Sequence, residues 1–125
     1  MTIYTNTVIV GGGQAGLAVS YHLGREAREH VVLEQADRPA EAWRNHRWDS
    51  FTLNTPNWQS LLPGADHAGA DPDGFMSKEE IVDYFSNYAK RFGLPIHYRM
   101  RVNSVQRDAQ RWCIAAAASL NNPNI

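Results

Sequence analysis

An α/β fold organised on a small parallel sheet is what this sequence predicts, and three observations predict it. An apolar β-branched run, Val8-Ile9-Val10, is followed at once by Gly11-Gly12-Gly13 and then by a helix-forming stretch. A second apolar run, Val31-Val32-Leu33, then appears and ends in Glu34. Strand, helix and strand in so short a span form one right-handed crossover, which makes the two strands parallel neighbours. The chain has 125 residues, room for one such domain with a core but not for two.

Each element has its own local reason. Short continuous apolar runs belong to strands covered on both faces. The first helix is expected from Gln14 to Arg28, with Ala15, Leu17, Ala18, Tyr21 and Leu23 on one face. A weak helical turn is expected between Asp37 and Ala42, after Pro39. From Asn45 to Gly74 the chain is irregular, with Pro56, Pro63 and Pro72. It still carries Trp48, Phe51, Leu53, Trp58, Leu61 and Leu62, too much apolar surface for a solvated linker, so it is read as packed.

Ser77 and Glu80 have the spacing of a capping box and open the second helix. Ile81, Val82, Tyr84, Phe85, Tyr88, Ala89 and Phe92 supply its buried stripe, read as core rather than as a cofactor contact. Gly93 stops it in the left-handed conformation, and Pro95 prevents continuation. Pro95 to Tyr98 reads as a third parallel strand. Val102–Arg107 and Arg111–Ala116 read as antiparallel strands joined around Asp108-Ala109-Gln110. Residues 1–116 are taken as the domain and 117–125 as an irregular tail.

Bulk properties exclude several functions. A formal net charge of -1 gives no general attraction to nucleic acid or to anionic lipid. Cys113 is the only cysteine, which rules out an intrachain disulfide; it is expected to be a packed small residue of the strand. No apolar run is long enough to span a bilayer, and the polar start, Met1 to Asn6, has no signal-peptide pattern, so a cytoplasmic protein is expected. His22, His30, His46, His67 and His97 show no metal-ligand spacing with one another or with Cys113, and no metal is expected.

The glycine loop is where chemistry enters. Gly11-x-Gly13-x-x-Gly16 follows a buried strand, opens a helix, and is succeeded by a strand ending in an acid. Gly11 allows the sharp exit from the strand, Gly13 lets a pyrophosphate approach the backbone, and Gly16 lets the helix pack closely. Gly12, Gln14 and Ala15 complete the loop, whose free N–H groups and helix dipole hold an anion. Glu34 can accept hydrogen bonds from both hydroxyls of an adenosine ribose, and its charge disfavours a 2′-phosphate. This chemistry is common to FAD and NAD, so the residues alone stop at an adenine dinucleotide on a Rossmann-like three-layer domain.

Longer segments narrow the choice. "VIVGGGQAGLAVSYHL", "VLEQADRPAEAWRNHRWDSFTLNTPNWQSLLPG" and "FMSKEEIVDYFSNYAKRFGLPI" resemble the amino-terminal FAD-binding part of flavin-containing-monooxygenase-like oxidoreductases. The resemblance runs from Val8 to about Trp112. It implies FAD on this domain, NADPH on a second glycine-loop domain, and a reduced flavin that activates O₂ to oxygenate a small-molecule substrate. By motif match, Gly11, Gly13 and Gly16 hold the pyrophosphate, Glu34 the ribose, and Gln35 lies beside it. Trp43, Arg44, Thr55 and Pro56 approach the pyrophosphate-to-flavin half, and Val102 meets the adenine through its backbone.

The same resemblance implies missing parts. No second glycine fingerprint occurs, so NADPH has no evident site, and the family's last strands near the flavin have no counterpart. The expectation is a domain incomplete at its carboxyl-terminal end and not active alone, whose sheet leaves an apolar edge open to association. A non-catalytic remnant and a stand-alone NAD-binding module are the alternatives. Arg44 and Arg47 could pair with phosphates or form surface ion pairs. Asp49 could accept a proton or shape a turn, and His46 is the histidine nearest the functional loop.

Overall fold

The computed structural model describes residues 2–45, 53, 55–65, 71 and 73–118. Expectations for His46, Arg47, Trp48, Asp49, Phe51 and His67, for the side chain of Trp58, and for residues 119–125 fall outside the described residues.

Three parallel strands make the main sheet: β1 (Thr7–Val10), β2 (His30–Leu33) and β3 (Ile96–His97), ordered β1-β2-β3. Thr7 pairs with His30 and Val10 with Leu33; Val32 then pairs with Ile96. Helix α1 (Gln14–Arg25) links β1 to β2, and α2 (Glu41–Asn45) and α3 (Lys78–Arg91) lie between β2 and β3. Two right-handed crossovers in the same direction put α1 and α3 on one face of the sheet. Their contact agrees: the Tyr21 ring of α1 lies 4.8 Å from Phe92 and 6.1 Å from Tyr88.

That face holds the core. Leu17 and Tyr21 from α1 pack with Ile81, Val82, Phe85, Tyr88 and Ala89 from α3, and Ala40, Leu62 and Met76 close the cluster. Each large side chain so buried contributes about 1.5–3 kcal/mol. The aromatic stripe of α3 is therefore core, as its spacing implied. Its hydroxyls also do local work: Tyr88 donates to the Pro63 carbonyl at 2.6 Å and Tyr84 to that of Ala65 at 2.8 Å. The Leu62 N–H donates to the Tyr84 hydroxyl at 2.9 Å, so α3 pins the segment from Leu62 to Ala65. Leu53 and Leu62 pack on the core, as expected of a loop too apolar for solvent.

A buried polar pair joins α1 to β2. Ser20 is fully buried, and its hydroxyl lies 2.8 Å from Nε2 of His30. The Arg28 carbonyl, 2.9 Å from Nδ1, can only accept; in the neutral ring Nδ1 therefore donates and Nε2 accepts from Ser20.

Both long helices end in the same hydrogen-bond pattern. In α1, Arg28 N–H reaches the Leu23 carbonyl and Ala27 N–H that of Gly24; in α3, Leu94 reaches Ala89 and Gly93 reaches Lys90. These are Schellman closures, each needing a left-handed residue. Gly93 (φ 56°) supplies it in α3, as expected, whereas Ala27 (φ 52°) supplies it in α1. With alanine and not glycine at the left-handed position, and no proline after it, the α1 terminus falls at Arg25, three residues before the expected Arg28.

β4 (Met100–Arg107) and β5 (Trp112–Ala118) form a separate antiparallel hairpin. Its turn is held by the Asp108 carboxylate, which accepts N–H bonds from Gln110 and Arg111; those bonds pull its carboxyl below the usual range. Met100 N–H binds the Glu34 carbonyl at 2.9 Å, and at the far end the Arg111 guanidinium lies 5.3 Å from the Tyr4 ring. The hairpin thus runs from the end of β2 back to the segment before β1. Two expectations are corrected here. β5 continues through Ala118, so the strand includes two residues assigned to the tail. Cys113 is exposed and not packed, its thiol 3.7 Å from Asp108. Alternation along β5 turns Ile114 and Ala116 inward and leaves Cys113 outward.

Candidate dinucleotide site

The glycine loop sits at the carboxyl ends of the parallel strands, where open α/β sheets bind ligands. Gly11 leaves β1 with φ 99°, a conformation closed to most side chains, while its N–H continues the ladder to the Leu33 carbonyl at 2.8 Å. A Cβ on Gly16 would run into the Gly11 carbonyl oxygen and meet Ile9 at 3.4 Å. Helix and strand exit can approach this closely only without that methyl group. Gly13 differs: a Cβ there meets nothing within 4 Å. The space in front of it is open.

Gly13 is the N-cap of α1, in extended conformation and with no side-chain cap. The first helical bond runs from Leu17 N–H to the Gly13 carbonyl at 2.9 Å, so the amides of Gln14, Ala15 and Gly16 precede it. Gly13, Gln14 and Ala15 are exposed. α3 has the opposite arrangement, with the Ser77–Glu80 box closed on itself. An uncapped helix start behind three glycines offers N–H donors and positive dipole to an anion.

Glu34 follows β2 and faces this loop. Its Oε1 accepts the Gly12 N–H at 2.9 Å and its Oε2 the Ala36 N–H at 2.7 Å. A segment missed by sequence reasoning wraps the same corner. Glu34 N–H binds the His97 carbonyl at 3.0 Å and Arg99 N–H the Ala36 carbonyl at 2.8 Å, with Arg99 left-handed at φ 59°. The Arg99 guanidinium lies 3.8 Å from Asp37. Tyr98, between them, is half-buried, and burial and then the charge of Glu34 raise its phenol pKa. The available signal was topological: a third parallel strand ending beside the second delivers its following residues to the acid.

The remaining expected residues disperse. Gln35 is exposed next to Glu34. Trp43 packs on Phe85 of α3, ring centroids 6.4 Å apart. Arg44 donates to the Pro39 carbonyl and to Ser86 of α3, and with Arg38 and Lys78 lines an open groove there. Thr55 shares a hydroxyl bond of 2.7 Å with Ser60, beside half-buried Pro56. Val102 lies on β4 opposite Ala116, at a β-bulge. The structure brings together Gly11 to Gly16 with Glu34, and ties Trp43 and Arg44 to α3.

Comparison with known proteins gives a consistent picture. Residues 8–120 match the pyridine nucleotide-disulphide oxidoreductase family. An uncharacterized CzcO-like oxidoreductase of Geobacillus kaustophilus is 41% identical over 103 residues, 82% of this chain and 29% of that protein. A probable indole-3-pyruvate monooxygenase of Arabidopsis thaliana is 35% identical over 114 residues, 90% of this chain and 30% of its own length. The flavin-containing monooxygenase of Stenotrophomonas maltophilia superposes with a TM-score of 0.83 at 29% identity, over 93% of this chain and 34% of that one. The chain therefore spans about a third of the length of the relatives it matches. It belongs to the pyridine nucleotide-disulphide oxidoreductase family, and is similar over nearly all its length to a part of flavin monooxygenases.

Proposed function

We propose that this chain binds the ADP half of FAD and is the FAD-binding domain of a flavin-monooxygenase-like oxidoreductase. The observation that carries the reading is the uncapped start of α1, open at Gly13, with the Glu34 carboxylate beside it. Amides of the α1 start would hold the pyrophosphate, and Glu34 the ribose hydroxyls through lone pairs left by its two backbone bonds. Tyr98 and the turn at Arg99 would wall the adenosine side, with Val102 near the adenine. When bound, FAD supplies the redox chemistry; the chain supplies orientation and a fixed electrostatic environment. NADPH, O₂ and the small-molecule substrate would meet the flavin on parts of a larger assembly. The cytoplasm is the compartment this reading assigns; among the described residues no helix is long and apolar enough to cross a membrane.

The test is ligand-dependent stability. A ligand at one hundred times its Kd stabilises by about 2.7 kcal/mol. FAD and ADP are expected to raise the melting temperature, and FMN, which lacks the ADP half, is not. Stabilisation by NAD but not by FAD would replace this reading with an NAD module, and indifference to all of them with a non-catalytic remnant.

A further inference from the structure

Both oxygens of Glu34 are engaged by the chain itself: Oε1 by the amide of Gly12 at 2.9 Å, Oε2 by that of Ala36 at 2.7 Å. Gly12 is buried in the glycine loop; Ala36 belongs to the turn after β2. A Cβ on Gly12 would lie 3.4 Å from Cβ and Cγ of Glu34, so the stem of the acid lies flat against the loop. A carboxylate group serving only a ribose needs neither contact.

The geometry points to a second role for Glu34, as a positioning residue that braces the glycine loop by gripping the Gly12 amide from the end of β2. Three consecutive glycines form a segment with much conformational freedom to lose. A charge-assisted bond to a main-chain amide is about twice as strong as a neutral one, and here it fixes the middle of that segment. Holding the loop in shape beforehand lowers the ordering cost that a phosphate must otherwise meet on binding. The role rests on the nucleotide reading for its purpose, but its first test needs no nucleotide.

Glu34→Gln keeps the side-chain length and replaces one acceptor oxygen with an NH₂ donor, so one of the two amides loses its partner. In the ligand-free chain, exchange of the Gly12 or Ala36 amide, followed by NMR, is expected to speed up on the order of tenfold. Binding of 2′,3′-dideoxy-ADP, which has no ribose hydroxyls for an acid to hold, is expected to weaken several-fold in the same variant. Unchanged exchange would overturn the inference. So would faster exchange with dideoxy-ADP affinity equal to wild type, since a brace without effect on phosphate binding positions nothing. If wild type binds neither ADP nor dideoxy-ADP, the nucleotide reading fails while amide exchange still decides whether the brace exists. Should E34Q not fold, E34D draws the carboxylate back from the loop and gives the same exchange readout, faster in support and unchanged against.

Discussion

At Gly16 a single methyl group separates a helix that can sit against its strand from one that cannot. Gly16→Ala drives Cβ into the Gly11 carbonyl, a backbone atom with little room to yield. The variant is expected to lose about 1–3 kcal/mol, the range for overpacking, read as a lower melting temperature without any ligand. Ala27 is the converse case, a left-handed alanine at the exposed end of α1. Ala27→Gly is expected to raise stability by up to about 1 kcal/mol in urea denaturation, since glycine removes the Cβ penalty but gains unfolded-state entropy. The backbone role of Gly11 and the packing role of Gly16 were legible because each follows from a missing side chain at a fixed spacing. The exposure of Cys113 was not, because residue type gives a tendency to burial while strand phase decides the face.

Among the elements, α3 was the most legible and α2 the least. Capping box, aromatic stripe and glycine stop all agree for α3, so local and tertiary preferences point the same way. The short helix α2 is set by packing against α3, which periodicity over five residues cannot report. The Tyr88 hydroxyl joins that of Tyr84 in linking α3 to the Pro63 segment, and Tyr88→Phe is expected to cost about 1–3 kcal/mol by leaving the Pro63 carbonyl unpartnered. Burial, then the neighbouring Tyr21 and Tyr84, push the Tyr88 phenol up to about 12. A raised pKa means that the folded state keeps the proton after the unfolded state has lost it. Stability from this group is complete below about pH 10 and falls as pH rises from about 10 to about 12. Melting temperatures across that window are expected to fall more steeply for wild type than for Tyr88→Phe. Parallel slopes would remove Tyr88 as the cause.

At the scale of the whole molecule, the sheet has one exposed consequence of its topology. Among the described residues β1 pairs only with β2, and Val10 is 56% exposed. β1 carries no charged residue and no proline to guard that edge. Pairing of the edge with another strand is proposed as the chain's route to association, and Val10→Lys is expected to shift light-scattering mass towards monomer if that pairing occurs. The parallel order was legible from two apolar runs and a third after Pro95. The juxtaposition of the glycine loop with the acid at the end of β2 was legible from motif spacing. Tyr98 and Arg99 were not, because they reach the acid only through the sheet order. Trp43 and Arg44 carried a role that the resemblance implied, and their packing on α3 gives them a structural one.

Gly13 offers the most direct test, because its surroundings are open and its φ of -81° and ψ of -167° suit an ordinary residue. Valine there should leave the fold intact and fill only the space in front of the α1 amides. FAD content is to be measured by absorbance after equilibrium dialysis of wild type and Gly13→Val, with matching melting temperatures confirmed without ligand. Stoichiometric flavin in wild type and none in the variant is the expected result. Equal occupancy of the two folded proteins would contradict phosphate binding at this loop.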